Sequence, residues 1–197
     1  MTRFTTLTSI VAPLIRDNID TDIIIPSREM KSTGKTGLAA GLFAPWRYTD
    51  PAARTPDPNF VFNQPDFVGA EILASGANFG CGSSREHAVW ALAEFGIRSV
   101  LAESFAPIFY NNCIRGGIAP IVLPKAAINT LAGKSATIDL SMQTINGLHF
   151  DIDPEAKNML LEGLDAIDLT LKHQSAITAW QTNDRSARPW IYLGKPK

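Results

Sequence analysis

Apolar and polar positions divide this chain into a regular opening, an irregular stretch and a long regular remainder. Residues 5–15 (TTLTSIVAPLI) are β-branched and predict a strand. A polar cluster, RDNIDTD, follows at 16–22, and then a short apolar run, IIIP, closed by proline. Residues 27–66 show little periodicity and carry six glycines or prolines between Gly41 and Pro65. They read as a mobile, loop-rich insertion with one short helix near 38–43.

Regularity returns after Phe67. Residues 71–76 (EILASG) predict a strand and 84–95 a helix ended by Gly96. A strand is expected at 97–104, a helix at 107–115 with Pro107 near its start and Gly116-Gly117 at its end, and a strand at 118–123. A short helix fits 125–132. Asn146-Gly147 between two β-prone runs predicts a hairpin with a type I′ turn, and 154–182 reads as helical with a break near Gly163. Alternating strands and helices over 71–132 imply an α/β fold with a partly parallel sheet. The terminal β segments suggest a second sheet, and the last stretch a helical segment.

Composition narrows the function more than the fold. With 197 residues, of which 45% are apolar and 19% charged, the chain can bury a real core. A net charge of −1 gives no basic footprint for nucleic acid and no polybasic patch for a membrane surface. The N-terminus lacks the apolar core of a signal peptide, and no run approaches the ~18 apolar residues that span a bilayer. Only Cys81 and Cys113 are present, which argues against a disulfide framework and for a reducing, cytoplasmic setting. Two cysteines are also too few for the usual ligand set of an iron–sulfur cluster.

Three motifs invite chemistry. Gly34-Lys35-Thr36 resembles the end of a P-loop, but Glu29 stands where the first glycine belongs. Arg28, Lys31 and Lys35 are therefore either solvated loop charges or groups that close over an anion. Asp17, Asp20 and Asp22 lack the glycine and distal glutamate of a calcium loop, so turn chemistry is the simpler reading.

The third motif is NFGCGSSREHAVWAL at 78–92. Ser83-x-x-Glu86 has the spacing of a capping box, worth about 1 kcal/mol to a helix. A cap does not need two glycines, a second serine and Arg85 as well. Glycines at a helix start let backbone N–H groups converge where the helix end is positive, and a guanidinium adds a fork suited to carboxylate. Anion binding and capping are thus both on the table. A Cys81–His87 nucleophile pair has no evident third group to orient it, and GCGSS is not a serine-hydrolase elbow.

DNIDTDIIIP (17–26), NFGCGSSREHAVWAL (78–92), SFAPIFYNNCIRGG (104–117) and GLDAIDLTLKH (163–173) together resemble the small-subunit family of bacterial 3-isopropylmalate dehydratases, in order and over nearly the whole chain. The resemblance implies one swivelling β/β/α domain of the aconitase C-terminal type over 1–197, with the substrate-recognition loop inside 27–66. It implies a hydro-lyase of leucine biosynthesis that isomerises 2- and 3-isopropylmalate by dehydration and rehydration. A [4Fe-4S] cluster is expected in a separate large subunit, with no metal bound by this chain and a small dicarboxylate as substrate.

By the same resemblance, Ser83 is the catalytic base and Ser84 and Arg85 are substrate-carboxylate ligands. Asp20, Asp22, Arg28, Lys31, Lys35 and Thr36 fall in the regions that line the site and read the variable group. The chain departs from the family at Glu29-Met30-Lys31, at Lys35, at Gly116 and at Asp168. These departures leave open a related malate-type hydratase acting on citraconate or dimethylmalate. A non-catalytic carboxylate-binding module is the reading from a different class.

Overall fold

The computed structural model describes residues 1–30 and 34–192. The chain divides into two compact units, Met1–Gly163 and Leu164–Lys197.

The first unit is organised by its opening strand, β1 (Thr6–Pro13). A helical turn follows, α1 (Thr21–Ile24), where the sequence shows only an apolar run after a polar cluster. The Asp20 carboxylate accepts from the Ile23 N–H at 2.8 Å, so the aspartate cluster starts a helix here. The insertion then carries α2 (Ala44–Arg47) and a small hairpin of β2 (Tyr48–Asp50) and β3 (Thr55–Pro56).

Beyond it run β4 (Ile72–Ala74), α3 (Glu86–Phe95), β5 (Ser99–Ala102), α4 (Pro107–Gly116), β6 (Ala119–Val122) and α5 (Lys125–Leu131). The unit closes with β7 (Ser135–Asp139), β8 (Thr144–Ile145), β9 (Leu148–His149) and α6 (Pro154–Glu162). Asn146 and Gly147 both have positive φ, 47° and 81°, as the type I′ hairpin requires.

The expected second sheet is a continuation of the first. The strand order is β6-β5-β4-β1-β7-β8-β9. The second half of β1, Val11 to Pro13, pairs parallel with β4, while Thr6 to Ile10 pairs antiparallel with β7. One eight-residue strand thus joins a parallel half to an antiparallel half. Strands β4 and β5 are buried along their whole length, as parallel strands covered on both faces must be.

Much of the insertion is packed, more than its composition suggests. Leu38, Leu42, Phe43, Phe60, Val61 and Phe62 all enter the main core. Phe62 packs on Phe95 of α3 at 5.0 Å between ring centroids, and Phe43 lies near Phe60 at 5.9 Å. Each fully buried aromatic contributes roughly 2–3 kcal/mol by removal from water. The stretch folds through packing of unevenly spaced aromatics, which no helix or strand period reveals.

The second unit contains α7 (Ala166–Leu171) and α8 (Gln174–Ala187). Asp165 and Asp168 form a reciprocal capping box at the start of α7. Asp168, one of the family departures, thereby has a structural role.

Candidate active site

Three loops leave the carboxyl ends of the adjacent parallel strands β1, β4 and β5, the place where open α/β sheets gather their ligands. They continue to hydrogen-bond after the strands end. Asn18 N–H donates to the Ala77 carbonyl at 2.8 Å, Gly80 to Ile19 at 2.8 Å and Thr21 to Cys81 at 2.9 Å. On the other side Phe79 donates to Ser104 and Ala106 donates to Phe79, both at 3.0 Å. The Asp17 carboxylate accepts from Ala77 at 2.8 Å. The DNIDTD and GCGSS motifs, some sixty positions apart in sequence, are therefore neighbours in one framework.

Gly80 and Gly82 turn this framework into a pocket. Gly80 has φ of +76°, and a Cβ there would lie 2.1 Å from the Phe109 ring. Gly82, at φ +93°, completes the reversal that brings Ser83 and Ser84 to the surface. A cavity of about 220 Å³ results, with Ser83, Ser84 and Arg85 on one wall and Ala106, Pro107, Ile108 and Asn112 on the other.

The predicted capping box does not form. Helix α3 begins at Glu86 with Arg85 as its N-cap, and no side chain caps it. The positive-φ Gly82 and the extended Arg85 (φ −116°, ψ 104°) carry Ser83 away from the first turn. Among the described residues no hydrogen bond engages the Ser83 hydroxyl, although its carbonyl accepts from the Thr21 hydroxyl at 3.0 Å. Helix α4 likewise starts without a side-chain cap, at Ala106. Two ten-residue helices thus present their positive ends to the same cavity.

Arg85 is partly buried and its Nη1 donates to the Asp22 carboxylate in an ion pair. Asp22 and Asp20 stand beside the cavity with their carboxylates committed, one to Arg85 and the other to α1. The remaining expected residues lie elsewhere. Arg28 lines a separate cavity with Glu29, Asp50 and Arg54, and its Nε is 3.6 Å from the Glu29 carboxylate. Glu29, the residue that broke the P-loop pattern, is buried and paired with Arg54. The Lys35 ammonium sits 5.4 Å from the Trp90 ring, and Trp90 in turn packs on His87 at 4.7 Å. Thr36 lies in the same bend as Lys35. Lys31 falls outside the described residues.

Sequence reading missed Thr21, Phe109, Asn112 and Glu94. The first three are legible only through the loop pairing and the turn at Gly80. Glu94, in the last turn of α3, accepts the N–H groups of Gly37, Leu38 and Ala39 at 2.7, 2.5 and 2.9 Å. These bonds, led by Gly37, hold its carboxyl below the usual carboxylate range. Cys81 and Cys113 are free thiols, and Cys113 is wholly buried. Among the described residues no three His, Cys, Asp or Glu side chains gather as a metal ion would require. None of their helices is long and apolar enough to cross a membrane.

Comparison with known proteins places the chain in a family. Residues 1–126 match the family described as the Aconitase C-terminal domain. The chain is 52% identical to the 3-isopropylmalate dehydratase small subunit of Cupriavidus necator, covering 98% of this chain and 99% of that protein. It is 46% identical to the protein of the same name from Delftia acidovorans, covering 97% of each. A crystal structure of 3-isopropylmalate dehydratase from Methanocaldococcus jannaschii aligns with a TM-score of 0.65 at 29% identity, covering 89% of this chain and 99% of that one.

Proposed function

Because the chain belongs to the 3-isopropylmalate dehydratase small-subunit family, built on the aconitase C-terminal domain, we propose that it completes the active site of a hydro-lyase interconverting 2- and 3-isopropylmalate. The observation that carries this reading is Ser83. It is a serine relieved of capping duty, facing a cavity at two helix N-termini with Arg85 beside it.

Dehydration of a malate-type diacid removes a proton from the carbon next to one carboxylate and expels hydroxyl from its neighbour. The C–H electron pair becomes the new π bond. Rehydration in the opposite sense returns the proton and hydroxyl to exchanged carbons. Ser83, as the alkoxide, takes the proton at Oγ and gives it back. Serine is a poor base in water, and the positive ends of α3 and α4 with the Arg85 guanidinium lower the cost of its anionic form.

Arg85 and the neighbouring backbone N–H groups grip a substrate carboxylate, with Ser84 beside them. Asp22 acts on substrate through Arg85, since a second carboxylate in direct contact with a dicarboxylate would repel it. Asp20 acts by setting the start of α1. Lys35 and Thr36, in the bend that puts Lys35 over Trp90 of α3, are assigned to reading the branched side group, and Arg28 to the scaffold of that region.

Among the described residues no donor set for an iron–sulfur cluster is assembled, and the two cysteines are too few for its usual ligands. The cluster is assigned to the large subunit that the small-subunit relatives imply, and no step here runs through it. Free thiols at Cys81 and Cys113 are in keeping with a cytoplasmic setting. Close identity to relatives named for isopropylmalate over the full chain favours that substrate over citraconate or dimethylmalate.

Reconstitution with the large subunit tests the proposal. The complex should dehydrate 2- and 3-isopropylmalate while this chain alone is inactive. A complex with intact cluster that turns over no malate-type diacid would overturn it.

A further inference from the structure

Helix α3 is used at both ends. The Ser83-Ser84-Arg85 wall of the cavity leads directly into its first turn, with Arg85 as N-cap, and its last turn carries Glu94. The Glu94 carboxylate accepts three consecutive backbone N–H groups, those of Gly37, Leu38 and Ala39. Three successive donors on one carboxylate fix both the position and the direction of the strand of backbone they belong to. The segment just before them is held to the same helix, with Lys35 lying over Trp90. Trp90 stands one turn before Glu94 and packs at a tilt on His87, which is in the first turn of α3.

We propose that Glu94 is a positioning residue for substrate selectivity, holding the bend at 34–37 against the helix that follows the catalytic serine. This rests on the proposed function above, in which Lys35 and Thr36 meet the branched side group. The carboxylate grip at Arg85 does not depend on the bend, so Glu94 governs recognition of the side group alone. Charge-assisted bonds of this kind are stronger than neutral ones, and a carboxamide cannot replace all three. Glu94 holds the bend to α3 through Gly37, Leu38 and Ala39, and the Ala39 carbonyl also accepts from the Arg47 guanidinium at 3.0 Å.

The experiment compares wild type, Glu94→Gln and Glu94→Asp, each reconstituted with the large subunit. In Glu94→Gln, KM for isopropylmalate should rise about tenfold with kcat within about twofold, the pattern of lost binding common to ground and transition states. Inhibition by malonate, which probes the carboxylate grip without a side group, should be unchanged. Glu94→Asp, which keeps the charge, should fall between the two. Tryptic cleavage after Lys35 should accelerate in Glu94→Gln, a readout independent of activity. An unchanged KM, or equal weakening toward malonate and isopropylmalate, would overturn the proposal alone. A wild-type complex inert toward isopropylmalate would overturn the proposed function and this inference with it.

Discussion

The Thr21 hydroxyl donates a 3.0 Å hydrogen bond to the carbonyl of Ser83, across 62 positions of sequence. Thr21 is buried, and its own N–H is bonded to the Cys81 carbonyl. The residue that starts α1 therefore holds the residue expected to act as base. Thr21→Val keeps the shape and loses the donor, leaving a carbonyl unpaired. The expected cost is about 1–2 kcal/mol in stability, together with a fall in kcat. Thermal melts and steady-state kinetics on the reconstituted complex check both.

Ser83→Ala should separate chemistry from folding. Since α3 begins at Glu86 without a side-chain cap, removing the hydroxyl takes nothing from the helix. Turnover should fall by about 10²–10⁴, the range for loss of a positioned base, with the melting temperature unchanged. A large loss of stability with activity retained would return Ser83 to a capping role.

Gly80→Ala should be severely destabilising, by about 3 kcal/mol or more, because overpacking adds to the left-handed backbone penalty. The new Cβ would lie 2.1 Å from the Phe109 ring, which belongs to the cavity wall. Gly133→Ala is the control, with φ of +74° but open space around the position. It should cost only about 1 kcal/mol. Denaturant midpoints for the two variants measure the difference.

Arg85→Lys keeps the charge and loses the planar fork. Affinity for substrate should drop about tenfold, and the Asp22 partnership should weaken with it. A malonate inhibition constant measures the carboxylate grip directly.

The two thiols should differ in reactivity and in their effect on pH dependence. Cys113 is wholly buried, and desolvation pushes its thiol well above the ordinary range. Its unfolded counterpart ionises near ~8.5. The stability it contributes is thus present below that value and declines as pH rises above it, because only the unfolded chain releases the proton. Iodoacetamide on the native chain should label Cys81 and spare Cys113, and Cys113→Ala should flatten the alkaline decline of the melting temperature.

Much of this molecule is legible along the chain. The strand at residues 6–13, the helix ended by Gly96 and the Asn146-Gly147 turn follow from local pattern, because periodicity and positive φ are local properties. So does the concentration of glycine, serine and arginine at 80–85 as a candidate anion site. Tertiary structure decided the rest. Whether Ser83 caps a helix or stands free depends on Gly82 and Arg85 reversing the chain, a backbone choice that Ser-x-x-Glu spacing does not encode. Whether the aromatics of the insertion pack depends on Phe62 finding Phe95 from a distant position, with Phe43 packed against Phe60 and Phe62 beside it. Which aspartate serves Arg85, and which residue holds the bend at 34–37, are likewise matters of distance in space. Local sequence sets the conformations a segment prefers, while burial and charge pairing across the sheet select the one it keeps.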